Sequence, residues 1–262
     1  MIEPDGSLLR LGAQVVKNVT GYDLVRMHIG AFGTLGVIAA AGLKLFPQPQ
    51  TSATALLGFA TRSAALDALA DLAAGWLQPV ACDLLNGLNA SDPPWALVVR
   101  AEGHPAAVER HVRELRALAT TNGGEVAEYR GEHEYSLWDA IVRHGAATTS
   151  ADEALLRIGY APAELGETLD IIERIAGHLP TAICARAITG SVLVRVRGTS
   201  NELQTIHAIL NDALGHVHLL AGPAALYAGS PVWGRSRPAE SLMRQLKQTI
   251  DPYELFNPGR LI

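Results

Sequence analysis

The stretch from Val15 to Ile38 concentrates the residues best suited to approach a ligand closely. It reads Val-Val-Lys17-Asn18-Val-Thr-Gly21-Tyr22-Asp23, and further on Gly30-Ala31-Phe32-Gly33-Thr34-Leu35-Gly36-Val37-Ile38. Asp23 to Ile29 fits a short helix closed by Gly30. The spacing Gly30-x-x-Gly33-x-x-Gly36 then leads into an apolar run, Gly36 to Phe46, that is expected to be a strand. Glycines at such a place let the backbone take positive φ and offer bare N–H donors at short range. The pattern is neither Gly-x-Gly-x-x-Gly after a strand nor a glycine loop ending in Gly-Lys-Ser/Thr, so it supports no Rossmann or P-loop site. On spacing alone, turn glycines are the ordinary reading and a ligand-approach loop is the other.

Other candidates are weaker. Arg186, Arg195 and Arg197 fall on expected strands and could grip a carboxylate in bidentate fashion; ordinary solvated strand faces explain them equally simply. Asp139 and Arg143 have the i, i+4 spacing of a surface ion pair. The nine histidines are scattered. His216-x-His218 alternates along a strand with no third ligand nearby, so no metal site is expected. Cys82 and Cys184 sit in apolar runs without a second Cys or His at ligand spacing, and are expected to be buried free thiols. No Gly-x-Ser-x-Gly is present, and no catalytic residue can be assigned.

The elements that must carry these residues follow from hydrophobic periodicity. From Thr51 to Ala221 one order occurs twice. Strand Thr54–Ala60 precedes a helix with Leu66, Leu69, Ala73 and Trp76 on one stripe. Strands Val80–Leu85 and Ala96–Ala101 follow. A helix then starts at Pro105, with Val108, Val112, Leu115 and Ala119 inward, and ends at Gly123-Gly124. Strand Ala154–Tyr160, a helix with Leu165, Leu169, Ile172 and Ala176, and a hairpin around Thr189-Gly190 repeat the series. Its last helix opens with the capping box Thr199-x-x-Glu202 and carries Leu203, Ile206, Leu210 and Leu214. Two βαββαβ units imply a duplicated ferredoxin-like arrangement with an antiparallel sheet. Between them, Glu132 to Gly145 is expected to be helical with Tyr135, Trp138 and Ile141/Val142 inward. After Gly222 come the loop Gly229-Ser-Pro-Val-Trp-Gly234, a helix over 238–250 with Leu242, Leu246 and Ile250 inward, and the tail Asp251-Pro-Tyr-Glu-Leu-Phe-Asn257-Pro-Gly-Arg260.

The totals set outer bounds. With 262 residues, 48% hydrophobic and 18% charged, the chain can bury a sizeable core. A net charge of -5 and no basic run give no reason to expect a nucleic-acid surface. The most apolar window, Gly36 to Phe46, is about half a membrane span and contains Lys44. The chain is expected to be soluble and cytoplasmic, with any contact to the inner membrane made through partners.

The run Val-Val-Lys-Asn-Val-Thr-Gly-Tyr-Asp-Leu, then Gly-Ala-Phe-Gly-Thr-Leu-Gly-Val-Ile, then Lys-Leu-Phe-Pro-Gln-Pro resembles the second half of the FAD-binding domain in the vanillyl-alcohol oxidase/p-cresol methylhydroxylase superfamily. Within it the FAD-linked oxidases of the glycolate oxidase type, their FAD-binding E subunits above all, are most similar. The tail Asp251-Pro-x-x-Leu-Phe-Asn257-Pro258-Gly259-Arg260 resembles the C-terminal signature of that family, and the Pro231-Val-Trp-Gly234 loop suits the same branch. The resemblance implies an α+β fold in three parts. Residues 1–50 would be the second subdomain of a PCMH-type FAD-binding domain. Residues 51–221 would be a duplicated ferredoxin-like cap on the substrate side of the flavin, and residues 222–262 a helix and tail returning to the FAD domain. It implies FAD as cofactor, lined by Gly33, Thr34, Leu35, Gly36 and Ile38, with Asn18, Tyr22 and Asp23 shaping the adjoining wall and Asn257 and Arg260 bracing the pocket. It also implies a small 2-hydroxy acid as substrate and a complex with other glycolate oxidase-type subunits, FAD-linked and iron–sulfur. The resemblance starts in the second FAD subdomain; the glycine-rich pyrophosphate loop of the first has no counterpart. Ala31 and Phe32 stand where related 2-hydroxy-acid dehydrogenases have Ser and Glu, and their His-rich metal motif is missing. A truncated scaffold subunit without catalysis and an oxidase of another substrate, such as D-lactate, are the alternatives.

Overall fold

A computed structural model describes residues 1–13, 23–86, 93–146, 150–229 and 231–261. The chain divides into two compact units, Met1–Pro47 with Ser236–Ile262, and Gln48–Arg235.

The larger unit is one antiparallel eight-stranded sheet. Its strands are β1 (Thr51–Phe59), β2 (Ala81–Asn86), β3 (Trp95–Gly103), β4 (Glu125–Tyr129), β5 (Glu153–Gly159), β6 (Thr181–Arg186), β7 (Ser191–Arg197) and β8 (Val217–Ala221). Their spatial order is β4-β1-β3-β2-β6-β7-β5-β8. Each half has the ferredoxin-like arrangement expected from the repeat, and equivalent edge strands β2 and β6 join them, with Leu85 opposite Cys184. Pairing edge to edge satisfies backbone groups that each half alone would leave open. Gly190, at φ 74, makes the tight turn of the β6–β7 hairpin.

Helices α2 (Arg62–Ala74), α3 (Pro105–Thr121), α5 (Leu165–Ala176) and α6 (Ser200–Leu214) supply the helical segments of the two repeats. Leu57, Leu84, Leu97, Leu156, Ile158, Val194 and Val217 from the strands join Leu69, Leu115, Leu169 and Leu210 in one buried cluster. Because strand side chains alternate, the neighbouring residues turn to the opposite face of the sheet. The α6 capping box forms as expected, Thr199 and Glu202 each answering the other's backbone. In α2 the buried stripe is Ala65, Ala68, Leu69 and Leu72. Trp76, expected inward, lies past the helix end and is 92% exposed, because α2 stops at Ala74.

α4 (Gly131–His144) covers part of the sheet face opposite those helices, with Ile141 buried beside Val98, Leu85 and Cys184. Tyr135 and Val142, expected inward, are exposed instead. Trp138 packs against this cluster as expected, and polar groups complete the seat of α4 on the sheet. Buried Glu134 accepts hydrogen bonds from Ser52 Oγ at 2.6 Å, Thr54 Oγ1 at 2.8 Å and Arg100 Nε at 3.1 Å, and Trp138 Nε1 donates to Thr54 Oγ1 at 2.9 Å. A carboxylate satisfied by three donors can be buried without a net penalty.

In the smaller unit Ile2 bridges both Leu8 and Val37. The strand expected over Gly36 to Phe46 does not form. Past that bridge no described residue pairs with it, and Leu43, Leu45 and Phe46 are 81%, 83% and 85% exposed. An apolar β-prone segment becomes a strand only where a neighbour supplies its hydrogen bonds. Among the described residues two helices complete this unit, α1 (Leu24–His28) and α8 (Glu240–Ile250); the short α7 (Ala224–Gly229) precedes α8 in sequence and sits in the larger unit. In α8 Leu242, expected inward, is 66% exposed while Lys247 is buried.

Glu134→Ala should cost about 3 kcal/mol in a urea unfolding curve, since Arg100 and two hydroxyls lose their acceptor together.

Candidate functional site

Within the smaller unit, the glycine loop after α1 meets the tail after α8. Thr34 is turned inward, with its Oγ1 donating to Ala31 O at 2.7 Å, and Leu35 is buried beside it. Gly33 lies against the tail: a Cβ placed there would stand 2.9 Å from Asn257 Nδ2. That vacancy lets Asn257 Nδ2 donate to Phe32 O at 2.9 Å. Both residues of this contact hold left-handed backbone, Phe32 at φ 53 and Asn257 at φ 40, at a cost of about 1 kcal/mol each. Gly36 serves the other side, where a Cβ would meet Ile2 O at 3.0 Å.

The two segments enclose a pocket of about 330 Å³ lined by His28, Ala31, Gly33, Gly36, Val37, Ile38, Leu255, Phe256 and Asn257. It therefore brings together Gly33, Gly36, Ile38 and Asn257 of the sequence-predicted residues. Thr34 and Leu35 brace the loop from behind rather than line the pocket. Asp23 caps α1, its Oδ1 accepting from Arg26 N at 3.2 Å, and Arg260 is exposed on the tail. Asn18 and Tyr22 lie outside the described residues.

The sequence did not mark out His28, Lys247 or Phe256. His28 Nδ1 bonds Leu24 O at 2.8 Å; a carbonyl only accepts, so Nδ1 carries the proton and the ring meets the pocket with Nε2 or its carbon edge. Lys247 has the larger structural role. Its Nζ donates to Thr34 O and Phe256 O, both at 2.8 Å, and to the carboxylate of Asp251, which is fully buried. Asp251 in turn accepts from Leu255 N at 3.0 Å and Phe256 N at 2.8 Å. Burial by itself would raise the Asp251 carboxyl, but these donors outweigh it and hold the group below its ordinary 3.8. One ammonium and one carboxylate thus fasten loop to tail. The i, i+4 pair at the end of α8 was the available signal, ambiguous because such pairs are usually exposed.

In the larger unit the arginines expected on strand faces separate. Arg195 bonds Glu153 at 2.8 Å and also donates to His144 O and Ala146 O; Arg197 takes the other oxygen of Glu153 at 3.4 Å. Arg186 lies across the β2–β6 pair from Asp83, a buried carboxyl that desolvation pushes up to about 6 against the nearby Arg186 charge. Cys82 and Cys184 are buried free thiols on opposite faces of the sheet. Asp139 and Arg143 form the expected exposed ion pair at 2.7 Å. Among the described residues no cluster of His, Cys, Asp or Glu could hold a metal ion, and no helix is long and apolar enough to cross a membrane.

These features define a class. Residues 235–261 match the family model described as FAD linked oxidases, C-terminal domain. The chain also shares its fold with two solved structures, alkyldihydroxyacetonephosphate synthase (TM-score 0.61, 17% identity, 98% of this chain and 51% of that one) and p-cresol methylhydroxylase (TM-score 0.51, 9% identity, 79% and 52%). The fold is thus the α+β arrangement of those two proteins, and over residues 235–261 the chain is similar to the FAD-linked oxidases. Among individual proteins it is similar to glycolate oxidase subunit GlcE of Escherichia coli (strain K12), with 29% identity over 98% of this chain and 62% of that protein. The chain spans about three-fifths of the length of that relative.

Lys247→Ala should destabilise the smaller unit by about 3 kcal/mol, read as earlier proteolytic cleavage of the tail, because it strands a buried carboxylate. The Asp251 contribution is complete above pH 3.8 and is lost as pH falls through the lower folded value. For Asp83 the sign is opposite, since its folded value of about 6 exceeds the ordinary 3.8. Asp83→Asn should therefore stabilise the protein by about 2 kcal/mol near neutral pH in thermal melts, an advantage that disappears below the ordinary carboxylate range.

Proposed function

We propose that this chain is an FAD-binding subunit of an oxidoreductase that acts on a small 2-hydroxy acid of the glycolate type. In this reading it works in a complex with other FAD-linked and iron–sulfur subunits. The observation that supports it best is the meeting of the glycine loop and the Asn-Pro-Gly tail, far apart in sequence, around one pocket. The residues present suit part of such a cofactor. Gly33 and Gly36 bring backbone close to the pocket where side chains would collide, Val37, Ile38 and Phe256 give apolar walls, and His28 and Asn257 supply polar edges. About 330 Å³ accommodates one portion of FAD rather than all of it. Bound FAD would supply the two-electron acceptor for the carbon bearing the hydroxyl. The chain's own residues position and exclude. Lys247 and Asp251 fix the loop against the tail so that the pocket is preformed, and Asn257 holds Phe32 at its rim.

The test is to incubate the full chain with FAD, alone and with candidate partner subunits, desalt it, and record flavin absorbance. Retained flavin that falls at least tenfold in Gly33→Val, with an unchanged far-ultraviolet circular dichroism spectrum, is expected. No retained flavin in any combination would count against the reading.

A further inference from the structure

On α6 two neighbouring side chains bury polar atoms that bond to nothing. His207 Nδ1 and Nε2 and Asn211 Oδ1 have no hydrogen-bond partner among the described residues. His207 is fully buried, and Asn211, one turn on, is 8% exposed. A neutral imidazole holds one donor and one acceptor, and each orphaned group is costly to keep away from water. So strict is the usual pairing of buried polar groups that this position calls for a reason.

The short α7 packs against this side of α6. Gln204, three residues before His207, donates from Nε2 to Ala225 O of α7 at 3.0 Å. Leu203 and Leu210, which flank His207 on its other side, belong to the same buried cluster as Leu226 of α7. Residues three and four apart share a helix face, so His207 lies in the strip between these two anchorages. α7 is lightly held. It has six residues, and Leu226 is its one buried side chain among those described. Short elements with so little buried surface open locally while the sheet beneath stays folded.

A positive charge at His207 would find no answer. The elements packed against α6 are α5, α7, β5 and β8. α7 brings Tyr227 and no charge. On β5 and β8, Glu153, Arg157 and His218 turn to the far face of the sheet, because Ala154, Leu156, Ile158, Val217 and Leu219 belong to the helix-side core. On α5, Asp170 and Glu173 are taken by Arg62, which leaves Glu167 and Arg174. On α6 itself, Glu202 serves the Thr199 cap and Asp212 pairs with Arg235. Burial alone holds the His207 imidazole below its ordinary 6.5, with no contribution from a neighbouring charge. Asn211 Oδ1 can accept only one of the two N–H groups that a protonated ring presents.

We propose that the contact between α6 and α7 is an acid-released latch, closed over the neutral ring of His207 and opened when that ring takes up a proton. The sign follows from linkage. In the open state the ring returns to its ordinary 6.5, so the preference for the closed state is complete above that value and is lost as pH falls below it toward the lower closed-state value. The latch needs neither FAD nor a partner chain.

Hydrogen exchange of the full chain, followed by mass spectrometry at pH 7.5 and pH 5.5 and corrected for the intrinsic pH dependence of exchange, tests this. Amides of residues 226–229 should lose protection by about fivefold or more at the lower pH, about tenfold being the ceiling for one proton taken up at 6.5, while those of β1 and β3 change less than about twofold. In His207→Phe and His207→Gln the loss at 226–229 should fall below about twofold, since neither side chain titrates in this range. Asn211→Asp, which sets a carboxylate beside the ring, should suppress the loss in the same way while keeping His207. Wild-type amides at 226–229 that are equally protected at both values overturn the proposal. So does a loss that spreads evenly over the sheet, or one that persists in whichever of the three variants fold.

Discussion

A buried ammonium must be answered on every side, and Lys247 shows what that requirement can organise. Its three protons go to Thr34 O, Phe256 O and the Asp251 carboxylate, while Asp251 gathers the amides of Leu255 and Phe256. None of these groups can be left unmade without a penalty comparable to the whole stability of a small unit. The glycine loop, the last turn of α8 and the tail are therefore one object, although more than two hundred residues separate Thr34 from Lys247. The pocket is a consequence of that fastening. Gly33 and Asn257 finish it, one by having no side chain and the other by using its amide to hold Phe32 O.

The larger unit obeys a different constraint, that of a sheet with two unlike faces. The helix-side face is continuous apolar packing from β1 to β8. The opposite face mixes apolar packing under α4 with polar groups, the fully answered carboxylate of Glu134 in the seat of that helix and a charged cluster around Glu153. Duplication explains this economy. Two βαββαβ repeats joined at β2 and β6 share one apolar face for folding and leave the other to α4 and charged side chains.

Much of this was legible from residue order. The helix stripes of α3, α5 and α6 and the Thr199–Glu202 capping box follow from local periodicity and cap chemistry. Of the residues that the resemblance pointed to, Gly33, Gly36, Ile38 and Asn257 line one pocket, while Thr34, Leu35, Asp23 and Arg260 do not. The misses share one cause. Trp76, Tyr135, Val142 and Leu242 are apolar side chains that periodicity assigns inward, yet no described residue covers them. The Gly36 to Phe46 run has strand composition without a strand beside it among the described residues.

What the sequence determined by itself was therefore the order of elements, the inward face of most helices and the two motifs, because these depend on spacing of a few residues along the chain. The tertiary structure alone decided which charges are buried, paired or left over. Lys247 and Arg143 each have an acidic partner four residues away, and only the first is buried. Arg157 and Arg197 look alike on their strands, and only the second meets a carboxylate among the described residues. Charge pairing depends on distances across the sheet and between loop and tail, and those are fixed by packing rather than by neighbours in sequence.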